Sequence, residues 1–313
     1  MIRTMLLAAA SMLPQVSAAA PPAMQAPKAQ MTAPGPGGIQ IEQQGVIGNW
    51  YAPAVGQVMP AILLLGGSEG GLSSGTDRMA QALHTAGFAV LQLAYYRAPG
   101  QSDALALIPL ETFDHALHWI AHQPGVDAKR IGMVGGSKGA EAALLVAARH
   151  PEVRAVVAGM PSSVAWPGIN WTGIENRASW TAAGNPVPTL PYGMPGPNGV
   201  LDVYANGLKS LAAHAAARIQ VERIAGKVLL VCGEKDKLWP SCPMAQQIRA
   251  RQPRAQVLAY ADAGHAVFGV PLAPDSPALP SLAQLGGTAA GNQAARIDGW
   301  PRVIAFLHAA LVR

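Results

Sequence analysis

The chain has 313 residues, half of them hydrophobic, with a formal net charge of +5. That is enough apolar material for one large α/β domain or two ordinary ones, and it excludes a disordered chain. The basic residues are scattered, without Lys/Arg runs or interleaved aromatics, which argues against a nucleic-acid partner.

The first 18 residues, "MIRTMLLAAASMLPQVSA", combine Arg3, a short apolar stretch and small residues before a cleavage-type Val-Ser-Ala. This pattern predicts a signal peptide and an exported, periplasmic or secreted protein. The apolar stretch is shorter than the roughly 20 residues that span a bilayer, and no later segment reads as a membrane span. Residues 19–38 are rich in Ala, Pro and Gly and are expected to be a flexible tether, so the folded domain is placed at 39–313.

From there two short strands in "IQIEQQGVIGNWYAP" precede an alternation of strands and helices. The strands read as "AILLLGG", "FAVLQLAYY", "RIGMVGGS", "VRAVVAG", "KVLLVCG" and "AQVLAYA". The helices read as "DRMAQALHTAG", "LETFDHALHWIAHQ", Lys138 to about His150, "MAQQIRAR" and "GWPRVIAFLHAAL". Near-continuous apolar strands between amphipathic helices imply an α/β fold, a mostly parallel sheet wrapped on both faces. The pattern lapses between about 161 and 205, where Trp166, Trp171 and Trp180 sit among prolines and glycines. A stretch this long predicts a lid. A second irregular stretch, "GVPLAPDSPALPSLAQLGGTAAGNQ", separates His265 from the last helix.

Gly135-Gly136-Ser137-Lys138-Gly139 is G-x-S-x-G between a buried strand and an Ala-rich helix, the context of a nucleophile elbow. A solvated or N-capping serine in a Gly-rich turn is the plain alternative, and the order Ser-Lys does not suit a phosphate loop, which needs Gly-Lys-Ser/Thr. A serine hydroxyl needs a base, and the base an orienting acid, in the chain order Ser, Asp or Glu, His. Asp236 follows "KVLLVCGEK" and His265 follows "AQVLAYADAG", both at strand ends, with Glu234 and Asp262 as fallback acids. The oxyanion hole is expected from the Lys138 backbone N–H and one from "GGSEGG", at Gly67 or Ser68. Trp166, Trp171 and Trp239 are the candidate lining of an acyl pocket.

Cys232 and Cys242 lack metal-type spacing; in an oxidising compartment they pair, and otherwise they are two buried thiols. His115, His118 and His122 share a helix face but have no completing ligand set, so no metal and no cofactor is expected.

The stretches "LLLGGSEGGL", "IPLETFDHALHWIAHQPGVD", "RIGMVGGSKGAEAALLVAARHPEVRAVVAGMPSSVAWPG", "IQVERIAGKVLLVCGEKDKLWPS" and "LGGTAAGNQAARIDGWPRVIAFL" resemble the carboxyl-terminal catalytic domain of acyl-CoA thioester hydrolases and bile acid-CoA:amino acid N-acyltransferases. The resemblance implies an α/β-hydrolase fold, dienelactone-hydrolase-like, with a nucleophile, Asp and His matching Ser137, Asp236 and His265. It departs from the family in three ways. The roughly 20 residues of strand pattern before "AILLLGG" are too few for the immunoglobulin-like sandwich of about 100 residues that precedes the catalytic domain there. The amino-acid-conjugating members resemble thiol enzymes, whereas a serine acyl-enzyme favours attack by water. The export signal also puts the chain where coenzyme A is scarce. The expectation is a serine hydrolase of a small-molecule acyl thioester or ester. An exported carboxylesterase, lactonase or peptidase, and a binding protein that keeps only the fold, are the alternatives.

Overall fold

The computed structural model describes residues 30–170 and 175–312, so the expected signal peptide and most of the expected tether lie outside the described residues. Eight strands form the central sheet: β1 (Gly38–Gln43), β2 (Val46–Tyr51), β3 (Met59–Leu65), β4 (Ala89–Leu93), β5 (Val126–Gly136), β6 (Val153–Gly159), β7 (Lys227–Gly233) and β8 (Gln256–Tyr260). Their order across the sheet is β1-β2-β4-β3-β5-β6-β7-β8. Only the β1–β2 and β2–β4 pairs are antiparallel.

The central strands are apolar on both faces because both faces are covered. Leu63, Leu65, Met133, Val156 and Leu230 point to one core, with α2 (Glu111–Ala121), α3 (Lys138–Ala147) and α5 (Ser241–Arg251). Ile62, Leu64, Val134, Val157 and Val231 point to the other, with α1 (Ser74–Thr85) and α6 (Ala289–Leu311). Among the described residues no helix is long and apolar enough to cross a membrane.

Three elements differ from the sequence expectation. The end of the tether is docked: Gln30–Met31 pairs with Gly71–Leu72, and the Gly35 N–H donates to the Tyr51 hydroxyl at 2.8 Å. The last helix starts ten residues early, at Ala289, because the Thr288 hydroxyl caps it by accepting from the Gly291 N–H at 2.8 Å. Its Pro301 then sits inside the helix, where it removes one donor. Along the stretch expected to be a lid, Trp180–Ala182 pairs with Ile108–Pro109, and a helix, α4 (Val200–Leu208), follows Gly199 and runs past its end.

Candidate active site

Strands β5, β7 and β8 end at one edge of the sheet, and their following loops carry the three candidate residues. Ser137 takes φ 54° and ψ −120°, a strained turn between β5 and α3. The flanking glycines explain how the turn fits. A Cβ on Gly139 would lie 2.2 Å from the Gly66 carbonyl oxygen, and one on Gly135 would lie 2.3 Å from that of Gly139. Strand and helix therefore approach to backbone contact on either side of the serine.

His265 Nε2 lies 3.0 Å from Ser137 Oγ, and its Nδ1 lies 2.9 Å from Asp236 Oδ2. A carboxylate at Nδ1 fixes the proton there and leaves Nε2 as acceptor for the serine hydroxyl. Asp236 is itself held by Ser241 Oγ–H on Oδ2 at 2.7 Å, and by the Leu238 and Trp239 N–H groups on Oδ1 at 2.9 and 3.2 Å. Ser137, Asp236 and His265 are 9%, 6% and 6% exposed, so these bonds form largely away from water. The fallback acids stand elsewhere: Asp262 pairs with Lys235 at the surface, and Glu234 is exposed.

A cavity of about 240 Å³ opens over Ser137, lined on one side by Gly66 to Glu69 and on the other by Met160, Leu238 and Phe268. Lys138 occupies the first position of α3, where a backbone N–H has no partner within the helix. The Gly67 N–H donates to Glu69 Oε1 at 3.1 Å, so that candidate oxyanion donor serves a carboxylate. Ser68 also lines the cavity.

Residues 108–313 match the family model described as BAAT / Acyl-CoA thioester hydrolase C terminal. The chain belongs to this family. Among curated relatives, acyl-coenzyme A thioesterase 5 of Mus musculus is 26% identical over 286 residues, covering 88% of this chain and 66% of the relative. Acyl-coenzyme A amino acid N-acyltransferase 1 of Mus musculus is 27% identical, covering 88% and 65%. The chain thus spans a little less than two thirds of these relatives. A dienelactone hydrolase from Klebsiella pneumoniae superposes with a TM-score of 0.53 at 18% identity, covering 87% of this chain and 97% of that one. A dienelactone hydrolase-like phosphotriesterase from metagenomic libraries gives 0.54 at 16%, covering 85% and 92%. The fold is that of the α/β hydrolases.

Other residues of this family member stand apart from the cavity. Trp166 and Trp239, expected in an acyl pocket, are 0% and 1% exposed and do not line it. They pack with Leu190, Tyr204 and Met244 in a separate apolar cluster, since bulky rings in a Pro-rich insertion bury more area against the body than at a rim. Trp239 only meets the His265 ring edge-on, with centroids 5.8 Å apart. Trp171 lies outside the described residues. Cys232 and Cys242 form a disulfide that closes the loop bearing Asp236. The His118 and His122 rings lie 4.1 Å apart, and among the described residues no group of three or more His, Cys, Asp or Glu is placed to hold a metal.

The sequence reading assigned nothing to the Lys138 side chain. It lies beneath the elbow, with Nζ 2.8 Å from both carboxylate oxygens of Glu141 and 5.3 Å from the Trp180 ring centroid. Glu141 Oε1 also accepts from Trp180 Nε1–H at 2.7 Å and the Trp166 backbone N–H at 3.2 Å. Burial pushes the Lys138 ammonium down and the Glu141 carboxyl up in pKa, against the attraction of the pair. The i, i+3 spacing was the available signal, but the spacing alone does not say that both ends are buried.

Proposed function

We propose that the chain is a metal-independent serine hydrolase that cleaves an acyl thioester or carboxylic ester through an acyl-enzyme on Ser137. The observation that carries this reading is the pair of contacts from His265, 3.0 Å to Ser137 Oγ and 2.9 Å to Asp236 Oδ2, facing a cavity. In this reading His265 takes the serine proton as Oγ attacks the carbonyl carbon, then returns it to the leaving thiolate or alkoxide. Asp236 holds the imidazole and stabilises its cationic form. The oxyanion is met by the Lys138 N–H and by Gly67 or Ser68, with the Gly67 donor serving once the Glu69 carboxylate moves aside. Water then attacks the acyl-enzyme with His265 as base. An oxygen ester at Ser137 favours hydrolysis over conjugation to an amine.

Names of relatives support a thioester substrate. An exported chain favours an ester or lactone from outside the cytoplasm, a reading supported by the first 18 residues and by a disulfide suited to an oxidising compartment. The test is a panel of acyl-CoAs, p-nitrophenyl esters and aminoacyl amides with wild type and Ser137→Ala, alongside labelling by a fluorophosphonate. Loss of the nucleophile lowers kcat by about a millionfold. Full activity in the alanine variant refutes the mechanism, and turnover of simple esters alone removes the thioesterase reading. Mass analysis of the mature chain tests export, since a retained Met1 refutes cleavage.

A further inference from the structure

The cavity over Ser137 adjoins a second, of about 190 Å³; Glu69, Thr76, Met79 and Phe268 line both. The remaining walls of the second are the start of α1 as far as Arg78, the Gly269–Val270 backbone, and Arg296 of α6. Two guanidinium groups thus face one small space.

Arg296 is partly buried; its Nε donates to the Ala266 carbonyl at 2.7 Å, one residue from His265, which leaves its Nη groups beside Gly269. Burial first, and the Arg78 charge second, push its pKa down to about 10, still cationic at neutral pH. Among the described residues neither arginine is ion-paired, because the neighbouring acids are engaged elsewhere. Asp77 accepts from Tyr51, Asn49 and Gln81. Asp298 accepts from Tyr260 and pairs with Arg302. Glu69, on the shared wall, is directed at the Gly67 N–H.

Two like charges at one small space, the Arg296 one partly desolvated, repel, and an anion between them relieves the repulsion while taking charge-assisted hydrogen bonds. The α1 N-terminus adds to the same field. The Glu69 carboxylate disfavours an anion at the shared wall and the two arginines favour one at the remaining walls, so the reacting carbonyl and the anion belong to different parts of one molecule.

We propose that this second cavity receives an anionic group, a carboxylate or a phosphate, carried by the ester or thioester whose carbonyl lies at Ser137, with Arg78 and Arg296 as specificity-determining residues. The proposal rests on the hydrolase reading above. At about 190 Å³ the space suits one such group, well below the 300 Å³ or more of a site enclosing a whole drug-sized ligand.

Two matched substrate pairs separate the sources. Mono-p-nitrophenyl glutarate against p-nitrophenyl butyrate tests a carboxylate on the acyl side. Butyryl-CoA against butyryl-N-acetylcysteamine tests phosphates on the leaving group. In at least one pair the charged member has the higher kcat/KM in wild type, through KM. Arg78→Gln and Arg296→Gln each lower that charged-to-neutral ratio by about tenfold. Arg78→Glu, at an exposed helix position, lowers it further and covers the case in which Arg296→Gln fails to fold. Ratios near one in wild type, or unchanged in every variant, overturn the proposal and leave the hydrolase reading standing. A wild type inert toward all four substrates overturns both.

Discussion

The buried Lys138–Glu141 pair predicts a specific pattern in a double-mutant cycle. In Glu141→Gln, the Lys138 ammonium keeps one amide oxygen in place of two carboxylate contacts of 2.8 Å, and that oxygen still serves Trp180 and Trp166. An uncompensated buried charge of this kind costs about 3–5 kcal/mol. Lys138→Met leaves a carboxyl that burial already pushes toward protonation and that retains both tryptophan donors, so it costs about 2–3 kcal/mol. The double variant has no charge to strand, and the glutamine oxygen still accepts from both tryptophans. It is therefore more stable than the sum of the singles by about 2–3 kcal/mol. Urea unfolding followed by tryptophan fluorescence reads this directly. In the Glu141→Gln variant burial holds the folded-state pKa of Lys138 below its unfolded value. Its deficit then shrinks as pH rises through the folded pKa toward the unfolded value of about 10.4, because the unfolded chain binds the extra proton over that window. A coupling below about 0.5 kcal/mol, or a deficit independent of pH, refutes the argument.

Asp236→Asn preserves the shape around His265 but favours the wrong tautomer, so kcat falls by about 10⁴-fold while Tm changes little; an undiminished kcat removes Asp236 from the mechanism. Replacing Cys232 and Cys242 together by alanine opens a ring with a sequence separation of 10, which the chain-entropy model values at about 2.7 kcal/mol, measurable as a shift of the urea midpoint. Gly139→Ala forces a methyl to within 2.2 Å of the Gly66 carbonyl, so the elbow must open. Fluorophosphonate labelling of the folded variant drops by at least about tenfold, and wild-type labelling refutes the steric account.

The strand-helix alternation was legible because buried parallel strands leave unbroken apolar runs, such as "AILLLGG" and "KVLLVCG", that solvent-facing strands do not. The candidate nucleophile, acid and base were legible for another reason: each chemistry restricts residue type, and the fold restricts where along the chain it falls. Contacts that depend on tertiary packing left no such trace. Phe268 and Met160 enter the cavity from irregular backbone without periodicity. Glu69 read as one polar residue of a glycine loop until its carboxylate was found on the Gly67 N–H. The helix start at Ala289 was hidden by Gly291, which reads as a loop residue unless the Thr288 cap is known. Trp166 and Trp239 were misplaced because aromatic residues near a site serve packing and binding equally well, and only the direction each ring faces separates the two.

Glu141 also changes how the insertion between Trp166 and Trp180 behaves mechanically. Both ends of that segment hang from one carboxylate oxygen at the base of α3, through contacts of 3.2 and 2.7 Å. Between those ends Ile169 and Leu105 exchange backbone hydrogen bonds, and the Gly168 N–H donates to the Arg177 carbonyl at 2.8 Å, so the described part of the segment is fastened at further points as well. Removing the carboxylate loosens both ends of the segment together and leaves those backbone bonds in place. One carboxylate oxygen thus joins the first turn of the serine helix to both ends of the segment, so neither can be altered at Glu141 without the other.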